Sequence, residues 1–483
     1  MNLVLSKVSA MHLRLVGFAG SCLVAFGAVG AGLLPRPDPL RDAVVLSTLR
    51  HGTGRAICVG LGIAGIAVLV LAWLLLARCL GHTDTRWLFT TAALWSMPLL
   101  LAPPILSRDV YSYAVTGQML ASGLNPYHDV PADLGSSWVS STSVTWRNAR
   151  SPYGPLFLLL AHLVAAGSGG SLIVAVFGMR LLAVIGTVLL AWALPRAARC
   201  CGVDERRALW LGLVNPLLLL HFIGGAHADA LMVGFMVAGL AVATGRWPAA
   251  GAVLCALAVT IKAVAIVALP FVALLWLVRL RDRQHPLLRA IGATALVSGV
   301  SFVMVTAVSG VGFAVVGAFD TAGVSQQWTS LPTGLGLAVN GAAHAIGIDL
   351  ARATVLEWAR GIGLLTTAAV LVWLWIRAVR LGGTRLVLEH CGWALAAVVV
   401  LGPTVHAWYA TWPLAVLAAA GVSGRARTAV AAISVALCFM IERDGFSVAG
   451  ATERVGVVLD VLLIIGLLVI GVVRLRRRRS VAT

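Results

Sequence analysis

Four short clusters in this 483-residue chain carry groups that can react or bind. Asp109, in Ser107-Arg108-Asp109-Val110-Tyr111, follows directly on an apolar stretch ending at Leu106. A carboxylate there admits two readings. It ends a helix in solvent beside Arg108, or it is a base held at a membrane surface, able to take the proton of a hydroxyl. Lys262 stands alone in the apolar run 256–265, where a lone ammonium is costly unless it snorkels to the surface or meets an anion. His227-Ala228-Asp229 has a spacing that metal ligation uses. With no further ligand nearby in sequence, that signal is weak, and Asp229 equally suits the start of a helix. The segment from Gly402 to Trp412 gathers His406, Trp408, Tyr409 and Trp412. Such rings anchor a chain at an interface, and with a histidine they also form a surface on which sugars are held.

The elements that position these clusters are set by composition. Hydrophobic residues make up 60% of the chain and charged residues 11%, against about 25% charged in soluble domains; mean hydropathy is +0.96. This describes a polytopic membrane protein, and its long apolar runs are helical rather than the short alternating segments of a barrel, so the fold class is all-α. The net charge of +18 is spread over short loops, as topology signals are, so no nucleic-acid partner is expected. The eight cysteines show no CxxC and no metal-type spacing, which excludes a disulfide framework or zinc site. No P-loop, Gly-rich nucleotide fingerprint, GxSxG or HExxH occurs.

Candidate spans fall at 13–34, 57–80, 87–106, 171–194, 208–223, 229–244, 248–261, 263–278, 290–309, 354–376, 386–402, 409–422, 427–441 and 455–473. The first is read as retained rather than as a cleaved signal. Basic clusters at Arg196–Arg207, Arg279–Arg289, Arg377–Arg385, Arg425/Arg427 and Arg474–Arg479 mark cytoplasmic loops. Loops 107–152, 310–352 and 442–454 then face outward, and 310–352 offers Asp320, Gln326, Gln327, Trp328 and Asn340 as a weak groove signal. Parity of crossings makes Tyr153–Gly167 re-entrant or horizontal, and Val110–Ser122 reads as a helix lying in the interface. One conflict stays open: loop 35–56 carries Arg36, Arg41, Arg50 and Arg55 yet is counted as outward. The chain is one integrated domain, with N-terminal spans in 1–86, a core in 87–310 and C-terminal spans with an Arg-rich cytoplasmic tail in 311–483.

An early outward acid, a re-entrant Pro-aromatic segment and many short helices resemble the GT-C class of membrane glycosyltransferases. More closely, Ser107-Arg108-Asp109-Val110-Tyr111-Ser112-Tyr113, Gly123-Leu124-Asn125-Pro126-Tyr127, Ser151-Pro152-Tyr153-Gly154-Pro155-Leu156, Asn215-Pro216, Gly224-Gly225-Ala226-His227-Ala228-Asp229 and His406-Ala407-Trp408-Tyr409 are similar to the actinobacterial polyprenol-phosphomannose-dependent alpha-1,6-mannosyltransferases that extend lipomannan. Ala228 stands where that pattern has asparagine, and Ala407 where proline is common. The resemblance implies a GT-C-type bundle of about 13–14 transmembrane helices, with interfacial helices in the first large outward loop. It also implies inverting transfer of mannose from a polyprenyl-phosphate-mannose donor to an alpha-1,6-mannan acceptor, at the outer face of the plasma membrane. Asp109 would be the general base, and Lys262, Arg147 and Arg150 would hold the donor phosphate. Arg108, Tyr111, Tyr153, His227, Asp229, His406, Trp408 and Tyr409 would line the substrate site. No metal and no cofactor is expected, and the partners are donor, acceptor and lipid bilayer. The alternatives are a flippase for lipid-linked sugars, which would be expected to show two related halves, or a GT-C transferase of arabinose or another hexose.

Overall fold

Proline and small polar residues open most of the helices. Ser9, Asp84, Ser171 and Ser330 each cap a helix start through a side-chain oxygen, and Pro155, Pro216, Pro248, Pro286 and Pro332 occupy first-turn positions where the missing N–H costs nothing. The computed structural model describes residues 9–40, 42–314, 326–440, 442–443, 446–447, 452–463 and 465–466. Asp320 and the arginines of 474–479 lie outside these residues. The regular structure of the described part is helical, apart from a two-residue antiparallel pair, Glu442–Arg443 with Phe446–Ser447. The protein is an all-α polytopic membrane protein.

Among the described residues, six helices are long and apolar enough to cross a bilayer: Ala10–Ala31, Gly52–Leu76, Leu172–Cys200, Pro286–Ser309, Arg352–Leu381 and Thr384–Leu401. Glu205–Gly212 and Pro216–Gly224, bent by 45°, pass the same test together and make a seventh if the pair is one span. Among the described residues, helices of full crossing length are thus fewer than the 13–14 spans expected, and the last expected span, 455–473, lies partly outside them. Five more apolar segments form helices of only 10–17 residues: Pro155–Gly167, Asp229–Ala243, Pro248–Val259, Ala263–Leu277 and Ala407–Ala420. At about 1.5 Å per residue these reach roughly 15–25 Å, short of a hydrocarbon core of about 30 Å. Hydropathy registers the apolar run but not the interruption, such as the extended backbone at Lys262 between Pro248–Val259 and the 3₁₀ turn Ala263–Ala268.

Contacts between loops sort the connections onto two ends of the bundle. At one end, Arg206 donates to the carbonyls of Leu80 and Thr83, and Arg385 to those of Ala420 and Gly421, so the arginine-rich connections share it. At the other end, the backbone N–H of Arg36 donates to Ser141, Asn125 donates to the carbonyl of Val311, and Thr329 donates to that of Val405. Loop 35–56 therefore sits with loop 107–152 despite its arginines. Arg50 is neutralised there by Asp38 and bonded to the Val29 carbonyl. The helix Pro155–Gly167 starts beside Thr260 and finishes in a cluster that contains Ala165, Trp138 and Ala175.

Candidate functional site

Asp109 is the first residue of the helix Asp109–Ala121, and its backbone N–H donates to the Ser107 hydroxyl. The turn leading into it is strained: Leu106 has φ 68°, and Ala226, in the facing turn, has φ 54°. Non-glycine residues in that region cost on the order of 1–3 kcal/mol and persist where the surroundings fix them. The two strained turns bring Asp109 Oδ2 to 3.7 Å from His227 Nδ1. The Tyr113 hydroxyl lies 3.4 Å from the same nitrogen, and the Tyr153 hydroxyl 3.4 Å from that of Tyr113. Burial first, then the nearby His221, Lys262 and His406, push the His227 imidazole well below its ordinary range. Burial thus disfavours the charged form of the imidazole that faces the Asp109 carboxylate. Arg108 turns its Nη1 to the carbonyls of Leu34 and Ser141, while Tyr111 donates to that of Leu33. These bonds fix the first turn of the Asp109 helix to the N-terminal loop.

That helix packs on Pro155–Gly167 at Gly117, where any Cβ would fall 2.1 Å from the Ala161 carbonyl oxygen. The start of the second helix is tied in turn to the backbone preceding Lys262. Gly154 N–H donates to Ile261 O and Leu156 N–H to Thr260 O, and a Cβ at Gly154 would sit 2.4 Å from Thr260 O. Backbone contact this close carries the Asp109 helix, Tyr153 and Lys262 as one unit. The Tyr127 hydroxyl bonds the Tyr153 carbonyl, and Asn125 caps its own turn, so the Asn125-Pro126-Tyr127 motif braces the same unit.

Lys262 is not a lone cation. Its Nζ lies 2.9 and 3.1 Å from the two oxygens of Asp229, and Trp412 Nε1 donates to Oδ1 of the same carboxylate at 2.6 Å. Asp229 is fully buried and begins the helix Asp229–Ala243. Its carboxylate is spent on Lys262 and Trp412, which displaces the expectation of simple helix capping. The ammonium also lies 4.4 Å from the Tyr409 ring centroid, 5.0 Å from Trp412 and 5.8 Å from Tyr153, so three aromatic faces share its charge. Lys262, with 13% of its side chain exposed, is the accessible end of this pair.

Behind Asp109 the rings form a column. His406 stacks on Trp408 at 4.6 Å, and Trp408 on His227 at 3.9 Å. Tyr409 stacks on Trp412 at 4.3 Å. Asp109, Tyr153, His227, Asp229, Lys262, His406, Trp408 and Tyr409 thus converge, although they come from five segments of the chain. The arginines of the loop are placed differently. Arg147 Nη2 donates to the Ser140 carbonyl, which shapes the loop, and Arg150 is exposed. Among the described residues, no group of three or more His, Cys, Asp or Glu is arranged to hold a metal ion.

Sequence reasoning misses three contributors. Tyr113 lies one helical step from Asp109 and reads as interfacial. His221 sits in a π-helical turn, Leu219–Gly224, fully buried, with neither ring nitrogen bonded among the described residues. Arg180 is a lone charge in an apolar run, the same signal that marked Lys262. It is 3% exposed and donates to the carbonyls of Leu100 and Gly224. Those carbonyls end the helix Thr85–Leu101 and open the His227 turn, so Arg180 holds the two strained turns together. Arg180→Met is expected to destabilise the protein by about 1.5–3 kcal/mol, the worth of charged hydrogen bonds lost from buried carbonyls. Thermal unfolding in detergent checks this, and an unchanged midpoint would remove the clamp role.

Residues 14–278 match the family described as alpha-(1->6)-mannopyranosyltransferase, N-terminal domain, and residues 332–471 match the MptB C-terminal domain. Alpha-(1->6)-mannopyranosyltransferase A of Mycobacterium tuberculosis is 35% identical over 440 residues, covering 89% of this chain and 84% of the relative. Alpha-(1->6)-mannopyranosyltransferase B of Corynebacterium glutamicum is 28% identical over 476 residues, covering 91% and 78%. A second Corynebacterium glutamicum relative, alpha-(1->6)-mannopyranosyltransferase A, is 31% identical over 336 residues, 66% of this chain and 67% of that protein. A membrane enzyme rather than a flippase, with a buried constellation around Asp109, this chain belongs to the alpha-(1->6)-mannopyranosyltransferase family.

Proposed function

We propose that this mannosyltransferase takes mannose from a polyprenyl-phosphate-mannose donor and adds it, with inversion, to an alpha-1,6-mannan acceptor at the outer face of the plasma membrane. The supporting observation is the position of Asp109, held between two strained turns beside buried His227, at the end of the bundle opposite the arginine-rich connections. By the positive-inside rule the arginine-rich end is cytoplasmic. Asp109 then faces outward, and the C-terminal tail lies inside.

In the proposed reaction Asp109 accepts the proton of the acceptor hydroxyl as that oxygen attacks the anomeric carbon. The bond from that carbon to the phosphate oxygen breaks, and the electron pair leaves with polyprenyl phosphate. Lys262, oriented by Asp229, is the cation nearest to meet that phosphate, and its charge needs no divalent ion to do so. Arg108, Tyr111 and Arg147 shape the loop over the site, while His406, Trp408 and Tyr409 offer ring faces to sugar or prenyl chain. Arg150, exposed on the same loop, would lie toward the donor headgroup.

Purified protein incubated with a short mannan acceptor and a panel of polyprenyl-phosphate sugars tests the reading. Release of polyprenyl phosphate with product growth is expected from the mannosyl donor alone, and at undiminished rate in excess EDTA. Preferential use of an arabinosyl or glucosyl donor overturns the sugar assignment, and loss of rate in EDTA overturns the cation assignment.

A further inference from the structure

At the arginine-rich end, three sequence-distant connections close around a cavity of about 190 Å³ lined by Arg207, Arg385, Arg427 and Ser423. Its volume is below the roughly 300 Å³ at which pockets for larger organic ligands begin. A single phosphate-sized group suits it. The nearby acids are already taken: Asp204, itself part of the wall, pairs with Arg206 at 2.8 Å, and Glu205 pairs with Arg199 at 2.7 Å. Arg385 is held in the wall through the Ala420 and Gly421 carbonyls, which are uncharged partners. Ser423 makes no side-chain cap to the helix Gly424–Cys438 that it precedes, so its hydroxyl is available to the cavity. The back of the cavity is apolar, formed by Leu211, Val203 and Val422. A cationic rim over an apolar floor is complementary to an amphiphile with an anionic head.

We propose that this cavity binds the phosphate headgroup of an anionic phospholipid of the leaflet on that side of the membrane. Positively charged recesses between helix ends, at the level of a negatively charged leaflet, recognise such headgroups. The occupant would rest on the ends of the broken span and of the helix Thr411–Ala420, which begins within the aromatic site at the other end.

Retention of lipid by the full-length protein tests the assignment. The protein is reconstituted into nanodiscs of phosphatidylcholine with or without phosphatidylglycerol, then examined by native mass spectrometry and thermal unfolding. Wild-type protein is expected to retain phosphatidylglycerol and to unfold at a higher temperature in its presence. Arg207→Gln/Arg427→Gln is expected to weaken retention about 30-fold, at about a kcal/mol per arginine. Arg283→Gln/Arg425→Gln, which removes two charges from the same end but not from the cavity, is expected to retain lipid as wild type does. Equal loss in both double variants would mean diffuse surface charge and overturn the proposal. Inorganic phosphate in detergent at matched ionic strength is the second probe: stabilisation by phosphate with none by phosphatidylglycerol would assign the cavity to the free ion and overturn the lipid assignment.

Discussion

Replacing Asp109 with asparagine is expected to leave the bundle folded and donor binding intact while cutting mannosyl transfer by about 10²- to 10⁴-fold, the usual contribution of one positioned base. Asparagine keeps the shape and the helix start of Asp109 but cannot accept the acceptor proton. The contacts that build the turn survive it. The Ser107 hydroxyl still receives the backbone N–H of position 109, Arg108 still reaches Leu34 and Ser141, and Arg180 still bridges Leu100 and Gly224. The measurement is turnover of purified enzyme at saturating donor, together with donor affinity and unfolding temperature. Near wild-type turnover would refute the role of base, and a collapse of stability would make Asp109 structural instead.

How much of this could be read from residues alone follows from the range of each interaction. The place of Asp109 at a helix start was legible because its signal is local: an acid directly after an apolar run, opening a short polar-patterned helix. The short helix Pro155–Gly167 was legible because Pro152 and Pro155 fix its start and the apolar run ends at Gly167. The helix lengths were not, since Asp229–Ala243 and Pro248–Val259 lie in apolar runs like those of the long helices and only the breaks in the backbone shorten them. Lys262 was legible as an anomaly, yet its partner was not. Asp229 lies 33 positions away, and the pair forms only because the chain breaks at Thr260–Lys262 and folds back against Gly154. His221 was hidden for a related reason, because a π-turn places its ring where an α-helical spacing would not. The arginines of 35–56 were a conflicting signal: Asp38 and backbone carbonyls absorb the charge of Arg50, which weakens it as a topology signal.

The Lys262–Asp229 pair separates structural from chemical importance. Removing one member of a buried pair strands a charge and typically costs 3–5 kcal/mol, whereas replacing both by apolar groups is often neutral. Asp229→Leu alone is therefore expected to destabilise the protein by about 3–5 kcal/mol, since the ammonium would keep only ring faces as partners and Trp412 would lose its acceptor. Lys262→Met alone strands a fully buried carboxylate and is expected to cost about as much. The double variant Lys262→Met/Asp229→Leu is expected to recover most of that stability, because Tyr153, Tyr409 and Trp412 already form an apolar box around the position. Turnover is the discriminating readout. If Lys262 meets the departing phosphate, the double variant folds but stays inactive, with donor affinity reduced. Recovery of both stability and turnover in the double variant would show that the pair only holds the re-entrant break in place, and the phosphate contact would then have to come from elsewhere in the loop over Asp109.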